Sequence, residues 1–265
     1  MHPIALNTFK NTLAMVLVLP IVFLHSGSRP HSASQADYTL LLFSGAAGIA
    51  VADSLVFKGL NLLGAGLSSI VNCTYSPFII LFSVLFIGES LGWVQILGVL
   101  LIISAVLTAT SLKGRGPVSR HDLILGVICC AAAMAIMGIS IVMVKPLLDR
   151  SPVLWATGIR LIGGCVGLGV LLLIHPRRRA IIGSMICARS WKYTLWGSFL
   201  GGYVALILWI GGMKYTQAST AAALNQTSNI FVFLLAACFL KERITWLRGT
   251  AICAAVLGAL LVTFG

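Results

Sequence analysis

The chain has 265 residues, 59% of them hydrophobic and only 9% charged, with a formal net charge of +12. A soluble globular domain carries about 25% charged residues, so this balance excludes one. A basic excess can mark a nucleic-acid partner, but the eighteen Lys and Arg residues are scattered mostly at the ends of apolar runs and in connecting loops, which excludes a single nucleic-acid-binding face.

Apolar runs of about 20 residues, the length that crosses about 30 Å of hydrocarbon, follow one another along nearly the whole chain. In order they cover 4–24, 38–60, 65–87, 92–111, 123–145, 153–174, 193–213, 219–240 and 246–264. Backbone groups in lipid must bond within their own segment and strand-like alternation is absent, so these runs are expected to be helices. The expected fold class is therefore all-α, a polytopic membrane protein with nine transmembrane helices. Connections are short except at 25–37, 112–122 and 175–192, leaving almost no chain for a soluble domain.

Loop charge is uneven. Lys58, Lys113, Arg115, Arg120, Arg177, Arg178, Arg179, Arg189, Lys192, Lys241 and Arg243 fall on the side of the N-terminus, against Arg29, Lys145, Arg150 and Lys214 opposite. The positive-inside rule then puts the N-terminus in the cytoplasm and the C-terminus, after nine spans, outside. The seven cysteines show no CxxC or His-paired spacing, so neither a metal, a cofactor nor a disulfide framework is expected.

Displaced by 153 residues, the chain matches itself from 45–110 onto 198–263 without a gap. Gly48 meets Gly201, Asn72 meets Asn225, Thr74 meets Thr227, Phe78 meets Phe231, Glu89 meets Glu242 and Trp93 meets Trp246. The run 4–24 matches 153–174 more loosely, with Lys10 opposite Arg160, and nothing in the first half matches 123–145. Residues 113–265 thus form a five-span unit, and 1–112 form a four-span unit, the same repeat lacking its first helix. A unit of five spans is odd, so a second copy enters the membrane upside down, giving two inverted repeats, the architecture of alternating access.

The stretches IGESLGW and FLKERITW, Pro77 within SPFIILFSVLFIGES, and LNQTSNIFVFLLAACFLKER carry a resemblance to the drug/metabolite transporter superfamily of the EamA type. Ile230 departs from the pattern, standing where the first repeat has Pro77. The resemblance implies a secondary active transporter of the bacterial inner membrane, exporting a small metabolite, amino acid or drug-like solute with proton coupling. It also implies the opposite orientation to the one that loop charge favours. Expected partners are the small-molecule substrate and the lipid bilayer, with no nucleic acid and with a homodimer as a possible assembly. The alternatives are an importer or exchanger, a lipid-linked-sugar flippase, and a non-transporting membrane partner subunit. An intramembrane enzyme would need clustered His, Asp or Glu at depth, and the spans offer one Asp, so no enzyme is expected.

Asp53 is that residue, and intramembrane acids tend to be functional. It and Lys10, six residues into the preceding span, should both lie about 10 Å below one membrane face, within reach of a salt bridge. Proton coupling and structural pairing are the two readings. The second half has Leu206 at the position of Asp53, so Arg160 lacks the corresponding acid and either attracts an anionic substrate or snorkels to the interface. Asn72, Tyr75 and Ser76 before Pro77, with Asn225 and Asn229 in the second copy, could line a cavity for a polar solute or bond between packed helices. Tyr203 and Trp209 offer a cation-π wall or face lipid. Glu89 and Glu242 precede helices, where a carboxylate caps the free N–H groups.

Overall fold

The computed structural model describes residues 2–25, 33–88, 92–110, 119–186, 191–240 and 246–264. In chain order the helices are α1 Pro3–His25, α2 Gln35–Gly45, α3 Asp53–Leu63, α4 Ala65–Asn72, α5 Tyr75–Ile87, α6 Trp93–Thr110 and α7 Arg120–Val142. They continue as α8 Lys145–Arg150, α9 Val153–Ile174, α10 Arg178–Ile186, α11 Trp191–Ser198, α12 Ala205–Tyr215, α13 Ala218–Phe239 and α14 Trp246–Phe264. No strand occurs among the described residues. Six stretches are long and apolar enough to cross a membrane: Pro3–Leu24, Gln35–Leu63, Ala65–Ile87, Arg120–Val142, Val153–Ile174 and Trp191–Tyr215. Trp93–Ala109, Ser228–Phe239 and Gly249–Val262 are shorter apolar helices in the positions of the remaining expected spans.

Three of the expected spans are not uniform α-helices. Between α2 and α3, Ala46–Ala52 is π-helical, and between α11 and α12 so is Phe199–Val204. The two π segments begin at positions that the 153-residue displacement superimposes. The third departure is a break at Cys73–Thr74, between α4 and α5, shortly before Pro77, whose ring removes a backbone donor. Local chemistry explains several ends. Ser34 and Asp37 form a reciprocal capping box at the start of α2. Gly64 and Gly88 stand at φ 80° and 76°, separating α3 from α4 and ending α5 in a left-handed turn.

The helices gather into two compact units that do not follow the chain halves. The first comprises Met1–Phe57 and Met143–Tyr215, the second Lys58–Val142 and Thr216–Gly265. In the first, α9 packs along α2 and the π segment that follows it, while α1 packs on α9 and on the second π segment. Its core includes Ala14, Val18, Ile49, Ala50, Leu161 and Leu168. Glycines permit the closest approaches: a Cβ on Gly163 would overlap the Leu42 carbonyl, and one on Gly45 the Arg160 carbonyl.

In the second unit α6 lies along α14, and α13 packs on α4, α5 and α14, with α7 against α5 and α4. Gln95, near the start of α6, donates its amide to the carbonyl of Val262, near the end of α14, at 3.5 Å. Gly98 lies against Gly258, so the two helices run antiparallel. Ala105 and Ala251, the repeat counterparts of Gly258 and Gly98, are buried in the same cluster.

A Cβ on Gly258 would stand 2.6 Å from the Gly98 carbonyl, which leaves it nowhere to go. Gly258→Val should therefore destabilise the protein by about 2 kcal/mol through overpacking. Gly211→Ala, with nothing within 4 Å of the added Cβ, should be neutral or slightly stabilising. Thermal unfolding in detergent distinguishes the two variants.

Candidate functional site

The first unit holds a polar cluster where α1 meets the first π segment. The N–H of Asp53 bonds the Gly48 carbonyl five residues back, so the extra residue of the π turn sets the direction in which the Asp53 side chain leaves the helix. It reaches Lys10, whose Nζ lies 2.6 Å from Oδ2, with side chains 19% and 17% exposed. The salt bridge expected from depth alone is present. Lys10 Nζ also stands 5.3 Å from the centre of the Phe57 ring.

Two residues without an obvious signature complete the cluster. Asn7, fully buried, donates its amide to the Ile49 carbonyl within the π segment at 2.7 Å and to Ser54 Oγ at 3.0 Å. Asn11 donates to Asn7 Oδ1 at 2.6 Å, orienting that amide. Sequence reasoning singled out Lys10 and passed over these neighbours. The available signal was two amides at i and i+4 in an apolar span, on the same helical face as a lysine one residue before the second.

Arg160 does not snorkel. It is 2% exposed on α9, donates from Nη1 to Ser44 Oγ, and its guanidinium carbon lies 6.0 Å from the centre of the Trp209 ring. A hydroxyl and an indole face thus surround it where Lys10 has a carboxylate. Tyr203, in the second π segment, stacks on Phe199 at 5.5 Å and packs on the apolar core of the unit. Both Tyr203 and Trp209 are half-buried. The neighbouring Gly202 lies against Lys10, where a Cβ would come within 2.8 Å of its Cγ. Arg160 and Trp209 are brought together, as are Lys10 and Asp53.

The second unit holds the other group. Asn72 Oδ1 and Ser76 Oγ, either side of the helix break, are buried with no hydrogen-bond partner among the described residues, and so is Ser83 Oγ farther along α5. Ser76 and Ser83, seven residues apart on α5, share one helical face, and Asn72 stands at the end of α4 on the other side of the break. An unsatisfied buried polar atom costs about 1–3 kcal/mol, so such a row is a place for water or a polar solute. Tyr75 is 2% exposed beside them. From α13, Asn229 approaches Cys73 Sγ at 3.6 Å, bringing the second copy of the polar motif to the break in the first. Asn225 is exposed, so its side chain does not join Asn72 in a buried pair; one turn of helix separates it from Asn229.

Glu89 and Glu242 lie outside the described residues. Trp93 and Trp246, which follow them, are 84% and 91% exposed at the starts of α6 and α14, as membrane-interface anchors would be. At α6 the Gly92 N–H is accepted by Gln95 Oε1 at 3.0 Å. Among the described residues no group of three or more His, Cys, Asp or Glu could hold a metal.

Residues 1–111 and 124–264 match the EamA-like transporter family. Over 133 residues the chain is 30% identical to the uncharacterized transporter YetK of Bacillus subtilis (strain 168), a match that covers 50% of this chain and 39% of that protein. It is also similar in fold to a protein known from a crystal structure, with a TM-score of 0.70 at 17% identity over 99% of this chain and 88% of that one. At that identity the likeness is one of fold.

Removing either partner of the Lys10–Asp53 pair strands the other charge in a mostly buried setting. Lys10→Met and Asp53→Asn should each lower stability. The double variant should lose less than the sum of the two, with a coupling of about 2 kcal/mol. A double-mutant cycle by thermal unfolding in detergent checks this, and additive losses would contradict the pairing.

Proposed function

Because the chain belongs to the EamA-like transporter family over nearly its whole length, it is an integral membrane transporter; we propose that it works as a secondary active carrier of the bacterial inner membrane, exporting a small metabolite, amino acid or drug-like solute in exchange for protons. The working architecture in this proposal is two inverted repeats, 1–112 and 113–265, with nine spans. The antiparallel packing of α6 on α14 supports it, since these helices occupy matching repeat positions and run in opposite directions. The occurrence of π segments at matching positions is a second support.

The observation that carries the coupling role is the position of Asp53: at the end of a π segment, inside a span, against Lys10. A proton added to the Asp53 carboxylate neutralises it and releases its hold on the Lys10 ammonium, while Asn7 keeps its grip on the Ile49 carbonyl. One ionisable event is thereby linked to the meeting of α1 with both π segments, because the same stretch of Lys10 lies against Gly202. π-helical turns are frequent at functional sites, and helices that slip between π and α registers offer two discrete packings. For the solute, Asn72, Tyr75, Ser76 and Asn229 of the second unit supply neutral hydrogen-bonding groups; Arg160, Tyr203 and Trp209 of the first unit are a second candidate group, a cation with aromatic faces.

Purified protein in sealed vesicles, offered pooled amino acids and cationic dyes with and without an imposed pH gradient, tests the proposal. Gradient-driven flux is expected, and Asp53→Asn should abolish its dependence on the gradient while the protein stays folded. Flux that ignores the gradient, or a gradient response that survives Asp53→Asn, overturns the coupling role. With a substrate in hand, Asn72→Ala and Asn229→Ala should raise the half-saturating concentration several-fold, and Asn225→Ala should leave it unchanged. Equal effects of all three would remove the solute from this group.

A further inference from the structure

The segment 175–192 takes no part in the transport proposal, and it concentrates charge. Arg177, Arg178, Arg179 and Lys192 are all exposed. The chain has no acidic residue between Asp149 and Glu242. In the first compact unit the described acids already have partners: Asp37 with Arg150, Asp53 with Lys10 and Asp149 with Lys145. No carboxylate of that unit is left among the described residues to answer these cations.

α10 is held in place instead of trailing as a loop. Ile181 is 2% exposed and seated against the unit, and Ser184 Oγ accepts the His2 N–H at 3.3 Å. Arg178 Nη1 donates to the Leu173 carbonyl at 3.2 Å, fixing the start of α10 to the end of α9. Beside the cations the surface turns apolar and aromatic. Leu173 and Ile174 are 67% and 75% exposed at the end of a membrane-crossing helix, and Trp191 and Trp196 are 43% and 65% exposed on α11, the helix that follows α10 in the chain. Indole rings favour the level of lipid headgroups, where an apolar body meets a polar layer.

We propose that Arg177, Arg178 and Arg179 bind the phosphate headgroup of an anionic membrane phospholipid, with Leu173 and Ile174 against its acyl chains. Guanidinium groups match phosphate oxygens in geometry as well as in charge. The adjoining apolar surface favours a lipid over a free phosphate ion, which would gain nothing from Leu173 or Ile174. An anionic lipid is favoured over a zwitterionic one because no carboxylate of that unit among the described residues is left to answer the cluster. The site is independent of which solute the protein carries and of how transport is coupled.

Thermal unfolding followed by the intrinsic fluorescence of the six tryptophans tests this, on the full chain in detergent supplemented with phosphatidylglycerol, phosphatidylcholine or soluble glycerol phosphate. Phosphatidylglycerol is expected to raise the melting temperature by about 5 °C over phosphatidylcholine. R177Q/R178Q/R179Q should lose that difference while melting normally in phosphatidylcholine. If the triple variant does not fold, R177Q/R179Q, which keeps the Arg178 bond to Leu173, should show the difference at least halved. Equal shifts from both lipids, or a difference that persists in the variant, overturn the site. A glycerol phosphate shift as large as that of the lipid overturns the lipid assignment in favour of a free anion.

Discussion

A backbone in hydrocarbon has no water to bond, so every departure from the α-helix has to find its partner within the protein. This constraint organises the structure. Most of the chain satisfies it by being helical, and the irregular places show what else was needed. In the first π segment the Ile49 carbonyl receives the buried amide of Asn7. At the break between α4 and α5 the chain tightens, with Cys73 N–H bonding Ile70 O at 3.1 Å and Thr74 N–H bonding Val71 O at 3.0 Å. The Thr74 hydroxyl adds a second bond to Val71 O at 2.8 Å. The first π segment and the helix break are thus each tied to polar side chains that would otherwise be costly in a span.

Packing obeys a second consequence of the same solvent. Lipid tails are as apolar as leucine, so burying an apolar side chain between helices gains little, and close contact must do the work. Glycines and alanines carry it here: Gly163 under Leu42, Gly45 under Arg160, and Gly98 on Gly258. The same glycines let polar groups on neighbouring helices reach each other. Arg160 meets Ser44 because α9 and α2 approach at Gly45 and Gly163.

Charge in the spans follows the logic of desolvation. Lys10 and Asp53 are mostly buried and satisfied by one another. Arg160, buried on α9, is held by a hydroxyl and an indole. The loosely matching runs 4–24 and 153–174 therefore differ in kind, one cation paired with a carboxylate and the other set against a hydroxyl and an indole.

Hydropathy determined the helical class, the membrane and the approximate bounds of the helices, because a span of about 20 apolar residues has few alternatives in lipid. Depth along two consecutive helices was enough to anticipate the Lys10–Asp53 bridge, and the 153-residue displacement marked both polar motifs. The π segments were not legible, since one extra residue in a turn leaves no mark on an apolar sequence such as AAGIAVA. Nor were the roles of Asn7 and Asn11, which depend on which carbonyl the π turn presents to them. Arg160 could have snorkelled, and only the close seating of α9 on α2 decided that it stays buried. The two compact units were equally hidden, because each draws helices from both chain halves. Local composition specifies what a segment can be, while the partner of a polar group is set by contacts between segments far apart in sequence.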